Sequence, residues 1–461
     1  MSLPKSFQPF AEDAPCAVAV RMVLIYLLHD EILRTLWAKN AITQYEREIT
    51  LTNLVNVMLD VACGSRRSPR AAYMARKEEI AASLTAFYKK LNRTELGISE
   101  AVVEESAKRA GQLIRVMGGT QQEPVSGFPT YVVDGNVLTG TEHRLKPLRK
   151  TRAGALPGKS LAVYEYATGT VGQAVLDEDA HRQERAMIPD LEIRPGTHWM
   201  ADRNFCVARF FWRIHNLGAY FTIRHHLQMP LNPEGKAISR GRCDTGKIRE
   251  QTIKVTDKTE ENEEVVYWRK ITLELDVPTR DGETQIVLIS NLPAEVHAKT
   301  IVAAYRDRWK IEQHFQRLTD WLHCEVPTLS HPRAALFAFS MSLVAANALA
   351  VVIAAIRVAH GEAAADNLSY MALADEVGGT YRGMMIALPP RRWTFVRHYS
   401  TKQFARVLRE IAAHANLRML TKTRRGPKKP RPKIPYDKKV KHVSTYRLLN
   451  EAREKKREKA C

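Results

Sequence analysis

The stretch Tyr305-Arg306-Asp307-Arg308-Trp309-Lys310-Ile311-Glu312 is the part of the sequence that most directly indicates the fold. Its Tyr305, Arg308 and Glu312 stand at i, i+3 and i+7, so all three lie on one face of an α-helix. That face carries an aromatic hydroxyl, a guanidinium and a carboxylate, a combination suited to holding a phosphate and a metal ion together. The stretch therefore predicts a helix that contributes to a phosphodiester-processing site.

Two earlier carboxylates complete the predicted site. Asp134 follows the apolar run Tyr131-Val132-Val133, and Asp202 follows His198-Trp199-Met200-Ala201, so each is expected at the end of a buried strand. Hard divalent ions prefer oxygen ligands, and two ions about 3.5–4 Å apart can drive an in-line displacement at phosphorus. We expect Asp134, Asp202 and Glu312 to hold two Mg²⁺ (or Mn²⁺) ions. The alternative for either aspartate alone is a helix cap or turn residue.

The order of elements between residues 128 and 324 predicts the fold class. Alternating and β-branched runs predict strands, and helical spacing predicts the helices between them. The strands are expected at 131–138, 160–166, 172–176, 198–201 and 219–224, with helices at 179–188 and 206–217 and a delayed helix at 297–324. This is the order of a ribonuclease-H-like domain of the α/β (α+β) class, with a mixed sheet.

The sequence further predicts an inserted β-subdomain and two helical flanks. The insertion is expected to hold a Gly/Pro-punctuated loop at 229–246 and strands at 252–256, 265–275 and 285–290. The predicted units are a helical N-terminal region at 1–125, the first part of the core at 126–225, the insertion at 226–294, the catalytic helix at 295–330, a helical C-terminal region at 331–420 and a basic arm at 421–461. We expect the N-terminal region to bind DNA or to pack on the rest of the chain.

The charge distribution indicates a polyanionic partner. The chain has 461 residues, a net charge of +20 and a pI near 9.7. Residues 421–461 alone contain sixteen Lys/Arg and four Asp/Glu. We expect this arm to be largely disordered and to contact DNA phosphates without sequence preference. The cations expected to make these contacts include Arg424, Arg425, Lys428 and Lys429.

The cysteine pattern and the apolar segments indicate the cellular compartment in which the protein is expected. The six cysteines form no CxxC pair, which argues against a zinc site or a disulfide framework and favours a reducing cytoplasm. No signal peptide is apparent at the N-terminus. Residues 334–356 carry no charge and are long enough to span a bilayer. Their alanine content and interrupting Ser and Asn residues favour a buried core helix, so we expect no membrane association.

The chain resembles the DDE transposases of the insertion-sequence-4 class. The resemblance rests on Asp134 in Val-Val-Asp-Gly-Asn, Asp202 in Met-Ala-Asp-Arg-Asn-Phe, and Glu312 in the Tyr-x-x-Arg-x-x-x-Glu signature. It implies that the three acids are the catalytic metal ligands and that Tyr305 and Arg308 contact DNA phosphates. It also implies a cut-and-paste enzyme that binds element ends and target DNA, works as a homodimer on DNA and acts in the bacterial cytoplasm at the nucleoid.

Two positions need separate treatment within this resemblance. Thr319 stands where the family signature has a lysine, so it is expected to contact DNA with a hydrogen bond but no charge. Trp268 lies in the insertion, where relatives use an aromatic ring to stack on a flipped base. The alternative for Trp268 is packing within its own sheet. Two other functions stay open, namely a decayed or domesticated DNA-binding protein and another ribonuclease-H-like nuclease.

Overall fold

The computed structural model describes residues 3–138, 141–151, 154–257, 264–279, 282–308, 322, 326–423 and 443–458. Its centre is a nine-stranded mixed sheet with the strand order β4-β3-β1-β5-β6-β10-β9-β8-β7. The strands are β1 Thr130–Leu138, β3 Gly158–Glu165, β4 Thr170–Asp177, β5 His198–Ala201, β6 Tyr220–Arg224, β7 Asn232–Cys243, β8 Gly246–Asp257, β9 Glu264–Leu275 and β10 Gln285–Ser290. Two short strands, β2 Ala155–Leu156 and β11 Val443–Ser444, form a separate pair.

The middle of the sheet is parallel and both of its sides are antiparallel. Strand β5 pairs in parallel with β1 on one side and with β6 on the other. All remaining pairs in the large sheet are antiparallel. Parallel strands place their carboxyl ends at one edge of a sheet, and the paired segments of β1, β5 and β6 share that direction.

Helices pack on both faces of the sheet. They are α1 Gln8–Asp13, α2 Pro15–Leu27, α3 Asp30–Asn40, α4 Leu51–Ala62, α5 Pro69–Ala75, α6 Leu84–Leu91, α7 Leu96–Met117, α8 Ala208–Asn216, α9 Ala298–Asp307, α10 Pro332–His360, α11 Glu362–Asp366, α12 Tyr370–Ala387, α13 Thr401–Ala412, α14 Leu417–Leu420 and α15 Thr445–Glu458. The larger core joins the N-terminal and C-terminal helices to one sheet face, and a smaller core lies under α8 on the other. This mixed sheet flanked by helices confirms the α/β class.

Helix α10 is the central helix of the larger core. It is apolar and long enough to cross a membrane, yet its most apolar window is completely buried inside the fold. Its contacts run to α7, α2, α4 and α13. Asn347, which is fully buried, satisfies the backbone of β4 by accepting from the Val171 N–H at 2.8 Å. The predicted buried core helix is therefore confirmed.

The inserted strands extend the core sheet. Strand β10 pairs with β6, and β9, β8 and β7 follow outward in order. The predicted loop at 229–246 is wrong, because Asn232–Cys243 forms the outermost strand. Proline and glycine are tolerated on an edge strand, since one side of its backbone faces solvent. All but its last residue are exposed, so the strand carries no alternating apolar pattern that could have identified it.

Two further predictions need correction. The expected helix at 179–188 is absent, and only the 3₁₀ turns Glu184–Ala186 and Ile188–Asp190 occur there. The described end of the basic arm, at 443–458, contains β11 and α15 rather than disordered chain. Ser68 caps α5, accepting a hydrogen bond from the Ala71 N–H at 3.2 Å.

Candidate active site

The two predicted catalytic aspartates are carried by neighbouring parallel strands: Asp134 lies in the middle of β1 rather than at its end as expected, and Asp202 directly follows β5. Strand β1 pairs with β5 from Thr130 opposite His198 to Val132 opposite Met200. The pairing ends there, two residues before Asp134 and Asp202. Adjacent strands are separated by about 4.8 Å, and register partners in a parallel pair share one face of the sheet. Two aspartates that are 68 positions apart in the sequence therefore belong to adjacent segments of the sheet.

Each aspartate is held by the backbone that follows it. Asp134 Oδ1 accepts a hydrogen bond from the Gly135 N–H at 2.9 Å. Asp202 begins a 3₁₀ turn, and its Oδ1 accepts from the Asn204 N–H at 2.8 Å. These contacts restrict the side-chain rotamers, so both carboxylates are oriented before any ligand arrives.

A third carboxylate, missed at the sequence level, lies close to these two. A β-carbon at Gly135 would lie 2.4 Å from Cδ of Glu184, so a glycine is needed for Glu184 to lie against β1. Burial raises the pKa of Glu184, Lys159 lowers it, and the charge of Asp202 raises it further. Lys159 Nζ lies 3.9 Å from Glu184 Oε1. The pair supplies a fixed negative charge beside the aspartates with a cation that partly balances it.

An arginine extends the row of aspartates by one strand. Strand β5 pairs with β6 up to Ala201 opposite Ile223, so Arg224 comes opposite Asp202. Arg224 forms an ion pair with Glu283, and Arg203 Nη1 reaches the same carboxylate at 3.1 Å. We name Asp134, Asp202 and Arg224 the strand-end row. Sequence reasoning missed Arg224, although its position at the end of the strand that follows β5 was a usable signal.

Tyr305 and Arg308 lie at the end of α9, within electrostatic range of the strand-end row. The Arg308 guanidinium carbon is 5.6 Å from the centre of the Tyr305 ring. Burial raises the pKa of Tyr305 to about 12, Arg308 and Arg224 lower it, and Asp202 raises it. Tyr305 is therefore a protonated hydrogen-bond donor at neutral pH. The charges of Asp202 and Arg224 both act on this hydroxyl, so Tyr305 lies within electrostatic range of these two residues.

Two contacts fix the end of α9 that carries Tyr305. The guanidinium of Arg306 binds both oxygens of Asp244, in the turn between β7 and β8, at 2.5 and 3.1 Å. On the other side, the Tyr166 hydroxyl donates to Asp307 Oδ2 at 2.8 Å. The edge hairpin and the β3–β4 turn therefore hold the signature helix between them.

Several predicted site residues lie outside the described part of the chain. They are Glu312, Thr319, Arg424, Arg425, Lys428 and Lys429. Within the described residues, no group of three or more His, Cys, Asp or Glu side chains is arranged to hold a metal ion. Asp134 and Asp202 provide the oxygen donors that Mg²⁺ or Mn²⁺ prefers. The position of the third predicted ligand, Glu312, belongs to the part that is not described.

The structure buries Trp268 in the smaller core. Only 2% of the residue is exposed, and its ring packs against Phe211, Trp212 and Phe221 with centroid distances of 5.0–5.7 Å. A ring covered in this way offers no face to a DNA base. Its burial favours packing within the sheet over the expected base stacking, because β9 is continuous with the core rather than part of a separate subdomain.

Comparison with known proteins supports a transposase domain around this site. Residues 126–348 match the family model described as a transposase DDE domain. The matched segment contains Asp134, Asp202, Tyr305 and Arg308. Among solved structures, the chain is similar to one described as a piggyBac transposase synaptic complex with hairpin DNA, at 9% sequence identity and a TM-score of 0.39, over 82% of this chain and 84% of that one. No curated protein matches the chain.

Proposed function

We propose that this protein is a DNA transposase that performs divalent-metal-dependent cleavage at the ends of a mobile element and joins those ends to target DNA. The observation that supports the proposal is the placement of Asp134 on β1 and of Asp202 directly after the parallel neighbour β5, each two residues beyond the paired segment, inside the region that matches the DDE domain model. The Tyr-x-x-Arg-x-x-x-Glu signature supports the insertion-sequence-4 class and a cut-and-paste reaction.

In this proposal Asp134 and Asp202 hold one or two Mg²⁺ or Mn²⁺ ions together with Glu312 from the signature. When bound, the metal supplies an activated hydroxyl nucleophile and stabilises the leaving oxygen. The protein's own groups bind and orient the DNA. Arg308 supplies the positive charge that favours a phosphate, and the buried Tyr305 packed against its guanidinium holds that arginine in place.

The partners in this proposal are element-end DNA and target DNA, and the active form is a homodimer on DNA. The net charge of +20 supports a nucleic-acid partner. The proposed location is the bacterial cytoplasm, at the nucleoid. The N-terminal helices and the basic residues of 421–461 are proposed to add contacts to DNA phosphates that carry no sequence information.

The test is DNA nicking by carboxylate variants. Asp202→Asn keeps the shape of the side chain and its bond from the Asn204 N–H, but removes the charge that would hold the metal. We expect loss of Mg²⁺-dependent nicking on a duplex that contains the DNA flanking the gene, with unchanged affinity in a gel shift. Asp375→Asn, an exposed change on α12, is the matched control. Nicking near the wild-type rate by Asp202→Asn contradicts the proposal.

The same experiment separates the two alternative functions. A decayed or domesticated DNA-binding protein would bind the flanking DNA without nicking it in any metal. Another ribonuclease-H-like nuclease, such as a resolvase, would cut branched DNA in preference to the linear ends. Only the transposase also joins the cut 3′-ends to a second duplex.

A further inference from the structure

A basic cavity lies where α6, the start of α10 and the C-terminal helix α15 meet. Its volume is about 420 Å³. Among the described residues, four cations line it, namely Lys89, Arg93, Arg333 and Arg453, together with one carboxylate, that of Glu178. Because Lys89, Arg93 and Arg453 are exposed, the cavity is reached from solvent. None of these lining residues belongs to the strand-end row.

Three of the four cations carry positive charge that no carboxylate balances. Arg333 Nε binds Glu178 at 2.7 Å, so this lining carboxylate is already paired. Lys89, Arg93 and Arg453 form no ion pair among the residues that the structure describes, and all three are exposed. Cations gathered in a concave surface give a stronger local potential than at a flat surface, because the low-dielectric walls focus the field. The cavity therefore attracts an anion.

His331, in the wall of the cavity, responds to this positive charge. The pKa of His331 is lowered to about 4, first by burial and then by the charges of Arg453 and Arg333. The imidazole is therefore neutral at neutral pH and adds no charge of its own. Arg453 belongs to α15 and Arg333 to α10. Guanidiniums from two different helices thus act on the same point in the cavity wall.

Helix α15 turns one of its faces to the cavity. Tyr446, Asn450 and Arg453 stand at i, i+4 and i+7, and all three line it. The helix is held in this position by the pairing of β11 with β2 and by Arg447, whose Nε binds Asp179 at 2.8 Å. Asn450 Oδ1 accepts from Arg453 Nη1 at 3.3 Å, so the amide NH₂ of Asn450 is left as a further donor.

The cavity lies at the same edge of the sheet as Asp202. Strands β1 and β4 each pair antiparallel with β3, so β4 runs in the direction of β1 and of its parallel neighbour β5. Glu178 directly follows β4, just as Asp202 directly follows β5. Three strand spacings of about 4.8 Å separate β4 from β5, roughly 14 Å in all. About four base pairs of DNA, at about 3.4 Å each, cover that length.

We propose that this cavity docks the phosphate backbone of DNA that lies along the same sheet edge, with Lys89, Arg93 and Arg453 as the contacting cations. The inference deepens the proposed function and rests on it for the identity of the polyanion. DNA fits the cavity better than a free anion does, because the three cations are exposed at its mouth and a polyanion offers them several phosphates at once. The N-terminal region and α15 then form one DNA-contacting surface.

The experiment is a gel-shift titration of the full chain on a random-sequence duplex, without divalent metal, at several salt concentrations. Arg93→Gln/Arg453→Gln, the cavity variant, removes two of the proposed phosphate contacts. We expect its affinity to fall about tenfold, and the slope of log K against log salt to flatten by about 1.8, at about 0.9 for each lost contact.

The matched control is Arg34→Gln/Lys455→Gln. It removes the same charge from exposed positions, one on α3 and one on the side of α15 away from the cavity, and its slope should stay near that of wild type. Arg93→Lys/Arg453→Lys keeps both charges in the cavity and should retain most of the wild-type affinity. Because the side chains changed are exposed, the unfolding midpoints of these variants should equal that of wild type.

The possible outcomes separate this site from the proposed function. Equal affinity and slope in the cavity variant and in the control overturn the proposal, and so does a wild-type chain that binds no duplex. If inorganic phosphate raises the unfolding midpoint of wild type but not of the cavity variant, while DNA binding equals that of the control, the cavity takes a free anion and the DNA assignment is wrong. Failure of the proposed function alone gives a different result, namely no Mg²⁺-dependent nicking by wild type while the cavity variant still binds DNA more weakly than the control.

Discussion

Removing the hydroxyl of Tyr166 tests whether the fold positions the helix that carries Tyr305 and Arg308. The Tyr166→Phe change deletes the donor of a 2.8 Å hydrogen bond to Asp307 and alters little else, because Tyr166 is only 5% exposed and its ring stays packed. Burial and Asp307 both raise the pKa of Tyr166, so the hydroxyl is a protonated donor throughout the pH range of the assay.

The expected effect follows from the charge of the acceptor. Hydrogen bonds to charged groups contribute about 1.5–3 kcal/mol, and Asp307 is only partly buried, which favours the lower end of that range. A loss of about 1.4 kcal/mol corresponds to a tenfold change in an opening equilibrium. We therefore expect the C-terminal end of α9 to open about ten times more often in Tyr166→Phe.

The assay is native-state hydrogen exchange followed by mass spectrometry on peptides from Ala298–Asp307. The control is Tyr220→Phe, whose hydroxyl makes no hydrogen bond to another described residue and whose ring packs on Phe128. Faster exchange confined to α9 agrees with the argument. Unchanged exchange in α9, or an equal acceleration over the whole sheet, would refute the idea that Tyr166 positions this helix.

Three further predictions concern pH, the signature and the arm. Burial raises the pKa of Glu123 from 4.5 to about 7, so its contribution to stability is present below pH 4.5 and is lost as the pH rises through 7. The Glu123→Gln variant should therefore unfold at higher urea than wild type at pH 8 but not at pH 4.5. Equal differences in unfolding midpoint at both pH values would contradict this prediction. Thr319→Lys should tighten binding to an element end several-fold, about 1 kcal/mol, in a gel-shift titration at fixed salt, and weaker binding would mean that another cation already serves this position. Changing Arg424, Arg425, Lys428 and Lys429 to Gln should flatten the slope of log K against log salt by about 0.9 for each DNA phosphate that the arm no longer neutralises, whereas an unchanged slope would remove these residues from the DNA interface.

The parts of the fold with strong local patterns could be predicted from the sequence. The apolar runs of β1, β5 and β6 predicted boundaries within one or two residues of those observed, because buried strands need continuous β-branched and aromatic residues. Helix α10 was predicted as a core helix from its composition. Of the two aspartates predicted at strand ends, Asp202 does follow β5, whereas Asp134 lies in the middle of β1 because pairing with β3 continues the strand to Leu138.

The expected helix at 179–188 failed because side chains there compete with the helical backbone. Asp177 Oδ1 accepts from the Asp179 N–H at 2.7 Å, and Asp179 Oδ1 accepts from the His181 N–H at 3.0 Å. Successive turns of this kind offer the backbone an alternative to helical hydrogen bonds. Turns closed by Asp177 and Asp179 therefore stand where the first helical turn was expected.

The other features that the sequence did not predict depend on contacts between residues far apart in the chain. Edge strand β7 exists because β8 pairs with it, and its own exposed side chains carry no signal. The contribution of Glu184 to the site depends on a close approach to Gly135 that follows from the tertiary fold. Likewise, the burial of Trp268 depends on β9 joining the core sheet, which the spacing of its residues does not reveal.

The central claim, that Asp134 and Asp202 bind the catalytic metal together, is tested most directly by anomalous diffraction from crystals soaked in Mn²⁺. The account predicts an anomalous peak between the two strand ends, with an oxygen of each aspartate within about 2.5 Å of it. It also predicts that the peak disappears in Asp202→Asn. Well-ordered aspartates with no Mn²⁺ between them, or Mn²⁺ bound at other residues only, would contradict the account.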